Sequence, residues 1–368
     1  MFKKKAVTTV QAVVLVIVIV VAAAGAYYFT RGPALPAVTT TGTQASVTPN
    51  ILQLAKAEGQ VTFYASWPDS INTKLATAWA AQYPDIKLNI NELSSSIEAA
   101  RVLSEFQGGK VMADVAEIDL SYFTVLKTIG ALDRYCATNT KNIPSAFVYD
   151  KDCYVQPTIR IVPTSILYNT KLVSQSDLPA DMMGILNDTS AIAKWAGKFV
   201  MGDPSRHSTT TEWLVAMRAF FNSNDTYKQF LTNLKNLKPR YVSSYIPVAE
   251  ALTSGEEVMG LTIISYIASM APAPLGYLPY KTILAGQIAF GIMKNEPHPN
   301  AARVLTEFLL SNATAKAIAA VGEMPTIPGI VPAGIKGLET LNIAPVTPLS
   351  ADDAVKWQAY FKQFYGIP

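Results

Sequence analysis

The sequence is poor in the side chains that most often hold metal ions. Two cysteines and two histidines in 368 residues exclude a zinc-finger framework. Hydrophobic residues make up 50% of the chain and charged residues 15%, which excludes a disordered polypeptide. The first 50 residues hold four basic residues and no acid, so 26 of the 30 basic residues and all 27 acids lie beyond them. That balance excludes a basic nucleic-acid-binding body, since no excess of cations can replace phosphate counterions.

Common catalytic motifs are missing as well. The sequence contains no Gly-x-Ser-x-Gly elbow, no His-Glu-x-x-His helix and no P-loop. His298 stands in a turn before a predicted helix and is interpreted as structural. His207 alone is more typical of a surface than of a ligand site. We therefore expect neither enzymatic activity nor a cofactor.

The N-terminus combines positive charge with a long apolar run. Lys3, Lys4 and Lys5 precede an uncharged stretch over 6–29. As a helix this stretch would measure ~36 Å, enough to cross ~30 Å of hydrocarbon. The lysines favour an inside N-terminus and a body outside the cytoplasm. Residues 1–31 are thus predicted to be a signal or membrane-anchor helix, with the body at the cell surface.

Two further interpretations of this segment stay open. Ala22–Ala26 supplies small residues that suit the cleavage site of a secretory signal peptide. Lys5-Ala6-Val7-Thr8 resembles the cleavage motif of archaeal pilin-like signal sequences, in which the lysines are removed and the helix is kept. On this motif alone, a pilin-like surface assembly subunit is an alternative. The apolar run is followed by no cysteine, which excludes a bacterial-type lipoprotein anchor.

Two further features of the sequence are typical of proteins outside the cytoplasm. Residues 32–50 are rich in threonine and proline and uncharged, which predicts an extended or flexible stalk. Cys136 and Cys153 are expected to form a disulfide that contributes roughly 3 kcal/mol in the chain-entropy model. The alternative is a pair of unrelated buried thiols.

Beyond the stalk, strand and helix patterns alternate. Val61–Ala65 is β-branched and aromatic, and a helix over 71–83 is followed by a strand over 86–90. This alternation predicts parallel βαβ units and an α/β fold of two lobes. Later helices are predicted over 211–222 and 351–365. In such sheets, ligands bind by default at the carboxyl ends of the strands.

Seven segments, in this order, resemble extracellular solute-binding proteins of ABC transporters. The resemblance is to the ferric-iron-binding class and its phosphonate-, thiamine- and polyamine-binding relatives, and it covers most of 51–335. The segments are LAKAEGQVTFYASW, LATAWAAQYPDIKLNI, RVLSEFQGGKVMADVAEID, TSILYNTKLV, MGDPSRHSTTTEWL, EALTSGEEVMGLTIISY and NEPHPNAARVLTEFLLS.

The resemblance implies a periplasmic-binding-protein fold of type II, in which two lobes close by hinge motion on a ligand cleft. It implies lobes of 51–155 plus 268–325 and of 156–267 plus 326–368. It also implies delivery of a small solute to an ABC permease and its ATPase. We expect a monomer. A membrane-anchored extracellular enzyme that uses the same cleft is the alternative.

Two helix starts offer groups for an anionic ligand. Free N–H and hydroxyl groups at a helix N-terminus suit an anion, although serine is also an ordinary N-cap. The candidates at the first helix start are Ser94, Ser95 and Ser96. At the second, Arg206 could bind a carboxylate or phosphate beside Ser208 and Thr209, unless this is a solvated loop. Further candidates at the expected cleft edge are Ser66 and Trp67, and weaker ones are Arg160 and Thr164.

Transported Fe(III) is a separate hypothesis. The ferric class uses a histidine after the first strand, a carboxylate after a later strand and a tandem tyrosine pair. Here Ala65-Ser66-Trp67-Pro68 lacks the histidine, Asp119 matches the carboxylate, and Ser265-Tyr266 keeps one tyrosine. Asp119 and Tyr266 are the predicted ligands of a ferric complex, but two oxygen ligands are too few for a bare ion. An iron chelate or a small anionic organic compound is therefore expected.

Overall fold

The computed structural model describes residues 49–67, 69–93, 95–335 and 341–368. The α-helices are α1 (Pro49–Glu58), α2 (Asp69–Gln82), α3 (Ser95–Gln107), α4 (Leu120–Thr128), α5 (Met182–Asn187), α6 (Thr189–Trp195), α7 (Ser208–Met217), α8 (Asn224–Asn236), α9 (Tyr245–Ser254), α10 (Tyr266–Ser269), α11 (Pro299–Leu309), α12 (Asn312–Ala319) and α13 (Ala351–Tyr365). The strands are β1 (Gln60–Ala65), β2 (Lys87–Glu92), β3 (Val115–Asp119), β4 (Arg160–Asn169), β5 (Phe199–Gly202), β6 (Arg240–Val242), β7 (Met259–Ile263), β8 (Leu275–Tyr277), β9 (Ile283–Ile292), β10 (Met324–Pro325) and β11 (Ile343–Pro345). Short 3-10 helices cover Thr138–Asn142, Ser145–Phe147, Gln175–Asp177 and Arg218–Phe220.

Most predicted helices and strands are present, with shifted ends. The helix predicted over 351–365 is α13, where Ser350 accepts the N–H of Asp353 and Gly366 ends the helix at a φ of 68°. The helix predicted over 211–222 begins earlier, at Ser208, and gives way to a 3-10 turn after Met217. The predicted stalk is too long, because Pro49 already begins α1.

The predicted anchor and the rest of the predicted stalk lie outside the described residues, as does Ser94. Within the described ranges, none of the helices is both long and apolar enough to cross a membrane.

The strands form one sheet in the order β2-β1-β3-β9-β4-β7-β5-β6. The predicted parallel units are found at its two ends, where β1 pairs with β2 and β3, and β5 pairs with β6 and β7. We call β2, β1 and β3 the first half and β7, β5 and β6 the second half. The middle of the sheet differs from the predicted pattern, since β9 and β4 run antiparallel to each other and to their neighbours β3 and β7.

The two middle strands connect the halves. The end of β9 pairs with β3, and its beginning pairs with β4 and β11. The beginning of β4 pairs with β9 and β10, and its end pairs with β7 and β8. Both strands are buried almost throughout, which explains why β9 is apolar except for Gln287, whereas β4 also buries polar side chains such as Arg160 and Asn169. Elements of both halves are therefore brought to the same pair of strands.

Each half has its own aromatic core. In the first half, neighbouring residues of β1 face opposite sides, so Phe63 packs with Trp79 and Phe308 while Tyr64 packs against the other layer. The Trp79 and Phe308 rings meet edge to face at 5.2 Å. In the second half, Trp213 and Phe230 are buried. Full burial of one such side chain stabilises the fold by roughly 1.5–3 kcal/mol.

The predicted disulfide between Cys136 and Cys153 is confirmed, with a Cα–Cα distance of 5.0 Å. It closes a segment that contains two of the short 3-10 helices. The same segment is held by Glu307 of α11, whose carboxylate accepts the Tyr135 hydroxyl at 3.0 Å and the Thr138 N–H at 2.7 Å. The covalent bond and the buried carboxylate therefore fix this segment at separate points.

Candidate functional site

A recess lies where the two halves of the sheet meet, beside β4 and β9. The first half contributes the end of β3 and the start of α4, and the second half contributes the first turns of α7. The segment after β11 closes one side. The lining residues are Asp119, Leu120, Ser121, Val162, Thr209, Glu212, Gly286, Gln287, Val346 and Pro348.

Asp119 reaches the recess from the carboxyl end of β3. It occupies the N-cap position of α4, but its side chain makes no capping hydrogen bond. Burial raises the pKa of Asp119, and the nearby positive charge of Arg160 opposes this shift. The carboxylate is therefore close to the recess without being used by its own helix.

Glu212 faces the same recess from α7, one turn into the helix. Its Oε1 accepts the Leu349 N–H at 3.3 Å. Burial, followed by the negative charge of Asp119, raises the pKa of Glu212 to about 7. Burial and the charges of Asp119 and Glu212 also raise the pKa of Tyr122 to about 12. The three groups thus lie close enough together to sense one another's charge.

A buried ionic network lies behind Asp119. The Arg160 guanidinium is 3.4 Å from the Glu323 carboxylate and 3.8 Å from that of Glu117. Glu117 accepts both the N–H and the hydroxyl of Ser66, at 2.9 and 2.8 Å. Burial raises the pKa of Glu117 to about 8, because Arg160 and Ser66 offset only part of the desolvation. Ser66, predicted as a ligand group, is thus tied to the network in the described conformation.

Trp67 and Ser95, two further ligand candidates of the first lobe, lie in the hydrophobic core and at the start of a helix. Trp67 is 1% exposed, and its ring meets Phe63 edge to face at 5.6 Å. Ser95 begins α3, one residue after the position that is not described. Their role in ligand binding stays a prediction.

The ligand candidates predicted at the start of α7 differ in their surroundings. Thr209 lines the recess, whereas Ser208 is exposed. The Arg206 side chain is 67% exposed, lies 3.6 Å from the Asp203 carboxylate and donates to the Pro368 carbonyl at 3.5 Å. His207 is half-buried rather than on the surface, and its Nδ1 lies 2.7 Å from the Thr210 hydroxyl. Arg206 therefore points toward the C-terminus in the described conformation.

The two predicted iron ligands are both close to Arg160. Burial, followed by the charge of Glu323, raises the pKa of the Tyr266 phenol, and Arg160 partly opposes the shift. Arg160 likewise acts on Asp119. Among the described residues, no cluster of three His, Cys, Asp or Glu side chains could hold a metal ion. Any ferric complex would therefore need oxygen ligands from tyrosine or from its own chelator.

Sequence reasoning missed Glu212 and Gln287. Glu212 lies in the segment MGDPSRHSTTTEWL. The hydroxyl groups at the start of the helix in this segment predicted an anion site instead. The one available signal was a carboxylate one turn behind that start. Gln287 is the one polar side chain in an otherwise apolar strand, and a lone amide there indicates a polar neighbour. Its amide donates to the Val346 carbonyl at 2.9 Å.

The sequence matches the model of a protein family described as bacterial extracellular solute-binding proteins, over residues 74–363. The chain belongs to this family. It is a solute-binding protein, and the description of the family as extracellular agrees with a body outside the cytoplasm. The sequence matches no curated protein significantly.

Several solved structures share the fold of this chain. An ABC-transporter substrate-binding protein from Agrobacterium tumefaciens is 16% identical, with a TM-score of 0.67 over 83% of this chain and 93% of that one. Iron-bound HitA from Pseudomonas aeruginosa is 18% identical, with a TM-score of 0.65 over 82% and 99%. AfuA from Actinobacillus pleuropneumoniae, with fructose-6-phosphate bound, is 18% identical, with a TM-score of 0.66 over 84% and 99%. At these identities the similarity establishes the fold alone.

Proposed function

We propose that this solute-binding protein captures one small solute in the recess between the two halves of its sheet and closes around it. The observation that carries the proposal is that α4 and α7, from opposite halves, line a single recess beside the two strands that connect them. A small rotation at β4 and β9 would open and close such a recess. The closed form would then be presented to an ABC permease and its ATPase.

The lobes that move are proposed to be 51–155 plus 268–325 and 156–267 plus 326–368. Packing of the later elements supports this division. Helices α11 and α12 contact α1 and α2 in the first half, and α13 contacts α7 in the second. With these bounds the chain would cross between lobes just before β4, within α10 and after β10.

Of the two solute classes expected from the sequence, an iron chelate has more support than a small organic anion. The anion was expected to bind Arg206, whose guanidinium is exposed and paired with Asp203. HitA is iron-bound, and a Trichodesmium protein of this fold is described in complex with iron and citrate. Asp119 and Tyr266 are the oxygen ligands proposed for such a complex.

Residues 1–31 are proposed to tether the body to the membrane, with 32–48 as a spacer. The apolar run between Lys5 and Arg31 and the extracellular family support this arrangement. Archaeal-type processing is proposed on the Lys5-Ala6-Val7-Thr8 motif alone. Membrane fractionation of cells that produce the protein tests the tether, and recovery of the mature protein only in the soluble fraction would contradict it.

Thermal unfolding of the purified protein with a panel of solutes tests the function. The panel contains ferric citrate, citrate, phosphate, phosphonates, thiamine, putrescine and sugars. A solute at ~100 times its dissociation constant stabilises the folded state by ~2.7 kcal/mol, which raises the melting temperature measurably. A Thr209→Trp variant, whose indole is larger than the recess and would hold the two halves apart, should fold and lose this shift. An equal shift in that variant would contradict the recess as the binding site.

A further inference from the structure

The sequence contains three Asn-x-Thr sequons, the three-residue pattern at which N-linked glycans are attached. They begin at Asn187, Asn224 and Asn312, and all three asparagines are exposed. A body outside the cytoplasm, with which the family description agrees, is where such acceptors are glycosylated. Because exposure does not distinguish the three, the surroundings of each asparagine decide which sequon the structure favours.

Asn224 differs from the other two asparagines because it opens onto a groove. It is the first residue of α8, and it lines a groove of ≈540 Å³ between α8 and α13. Sites that bind small organic molecules measure about 300–1,000 Å³, so the groove has the size of a ligand site. Neither Asn187 nor Asn312 lines this groove.

Aromatic rings form the apolar part of the groove. Trp357 and Tyr360 come from α13, and their rings meet edge to face at 5.4 Å. Tyr360 is 37% exposed. Tyr227 of α8 adds a third ring, and its hydroxyl donates to the Leu214 carbonyl at 2.8 Å. The face of an aromatic ring carries partial negative charge, which attracts the C–H groups on the apolar face of a sugar.

Positively charged side chains border the rings. Arg218, Lys228 and Lys356 line the same groove and are exposed hydrogen-bond donors. A saccharide matches this combination, because its C–H groups can pack on the rings while its hydroxyls accept hydrogen bonds from the border. The hydrocarbon of a membrane or the apolar face of a helix would instead remove these cations from water without offering a polar partner.

The Asn224 amide can carry a sugar without losing its own contact. Its Oδ1 accepts a hydrogen bond from Arg218 Nη2 at 2.7 Å. N-linked sugars are attached at the other atom, Nδ2, which has no hydrogen-bond acceptor within the part of the chain that the structure describes. Attachment at Nδ2 would therefore keep the contact with Arg218 and place the first sugar at the groove.

We propose that Asn224 carries an N-linked glycan whose first sugars lie in the groove against Trp357 and Tyr360. The sugar donor is a glycosyl phosphate of a lipid carrier. A bond forms between the anomeric carbon of the sugar and Asn224 Nδ2, and the bond between that carbon and the phosphate oxygen breaks. The phosphate leaves with the electron pair, and the amide nitrogen loses one proton to the transferase.

The first turn of α8 determines when this transfer takes place. The Thr226 hydroxyl donates to the Ser223 carbonyl at 3.0 Å and accepts the Ser223 N–H at 3.3 Å, as part of a capping box. The sequon requires this hydroxyl, so the transferase must reach it before the capping box forms. The glycan is therefore added while the chain is still unfolded, and α8 and α13 then fold around it.

Peptide mass spectrometry of the protein from the organism that produces it tests the modification. Cleavage after Arg218 and Lys228 gives a peptide of residues 219–228 that contains Asn224 as its single sequon. This peptide should carry the mass of an oligosaccharide. Asn224→Gln should abolish the added mass, and Thr226→Ser, which keeps the hydroxyl, should retain it. A 219–228 peptide that is found only without sugar overturns the proposal.

Thermal unfolding tests whether the glycan lies in the groove. The melting temperature of the glycosylated protein should exceed that of the same sequence produced in a host without N-glycosylation. Tyr360→Ala removes one ring of the groove and should reduce this difference at least by half. Val355→Ala, at an exposed position of α13 that does not line the groove, should leave it unchanged. An undiminished difference in Tyr360→Ala would overturn the placement of the glycan in the groove.

A second copy of the chain is the competing occupant of the groove. It would give an unmodified 219–228 peptide and a dimer in analytical ultracentrifugation that Tyr360→Ala dissociates, and this result also overturns the proposal. None of these outcomes bears on solute capture, because Asn224 does not line the recess.

Discussion

At the scale of single residues, buried charge sets the properties of the middle of the sheet. Arg160 is 8% exposed and stands between Glu117 and Glu323, yet its Nε has no hydrogen-bond partner among the described residues. Its ion pairs are longer than an ideal charged hydrogen bond of roughly 2.8 Å. The guanidinium therefore serves chiefly to offset the charge of the buried Glu323 carboxylate and to limit the rise in the pKa of Glu117, and its loss would leave Glu323 uncompensated.

Replacement of Arg160 by methionine should lower the free energy of unfolding by about 3 kcal/mol, because breaking a buried ion pair leaves a desolvated charge. Urea denaturation near pH 7 measures the change. Arg206→Met is the matched control, and this exposed arginine should change stability by less than about 0.5 kcal/mol. Equal losses in the two variants would contradict the neutralising role of Arg160.

Glu98 supplies a prediction of pH dependence. It is 0% exposed, and burial followed by the charge of Glu117 raises its pKa to about 10. The folded chain keeps this proton above the ordinary carboxyl pKa of about 4.5, where the unfolded chain has lost it, so stability falls as the pH rises toward 10.

Glu98→Gln mimics the protonated form and keeps an oxygen for the Glu117 N–H, which Glu98 accepts at 3.1 Å. The stability of this variant relative to the natural protein should therefore increase from pH 6 to pH 9, by at most about 1.4 kcal/mol per pH unit. Urea denaturation at several pH values measures the difference. Glu256→Gln, at an exposed position, should show no such trend, and a flat difference for Glu98→Gln would count against the buried proton.

The orientation of α7 about its axis explains why the sequence indicated some residues of the recess and not others. Asp119 was predicted from the family resemblance, as the match to the carboxylate of the ferric class, and the structure places it at the last position of β3. Glu212 was missed because only the angle of α7 decides that this side chain turns toward Asp119 while Trp213 turns into the core. The role of Arg206 stays a prediction, and in the described conformation the loop before α7 points this side chain toward Pro368.

At the scale of elements, periodicity predicted long helices and strands well and short strands poorly. Strands β6, β8, β10 and β11 have two or three residues, too few for a pattern to be recognised. Their pairing with β5, β4 and β9 is decided by tertiary packing. The antiparallel middle of the sheet also escaped prediction, because an apolar run does not reveal the direction of its neighbours.

The disulfide allows an element-scale prediction. A Cys136→Ser, Cys153→Ser double variant should lose up to about 3 kcal/mol of stability, because the segment that joins these cysteines, which are 17 positions apart, gains freedom in the unfolded chain. The loss should show as a lower urea midpoint. Addition of a reductant should shift the natural protein to the same midpoint and leave the double variant unchanged. A reductant effect on the double variant would show that the shift has another cause.

At the scale of the whole molecule, the fold was predictable because the order of seven segments over most of residues 51–335 resembles one class of solute-binding proteins. The solute was not, because a handful of side chains around one recess decide it. Neighbouring structures of the same fold hold iron in one case and fructose-6-phosphate in another, so architecture alone does not select a ligand.

The strands that connect the two halves suggest how ligand binding would change the relative position of the halves. Strand β9 pairs with β3 of the first half, β4 pairs with β7 of the second half, and the two pair with each other. A change in their twist would therefore move α4 and α7 relative to each other. A ligand stabilises the closed arrangement only if it contacts both halves more fully there. Asp119 and Glu212 belong to different halves, so a ligand that contacts both side chains would meet that condition.

Small-angle X-ray scattering of the purified protein, with and without the solute that raises the melting temperature most, tests this account most directly. Closure predicts a smaller radius of gyration at saturating solute, and no change in the Thr209→Trp variant, whose indole would hold the two halves apart. Superimposable curves for the natural protein at saturation would contradict closure. A decrease of equal size in Thr209→Trp would contradict the recess as its cause.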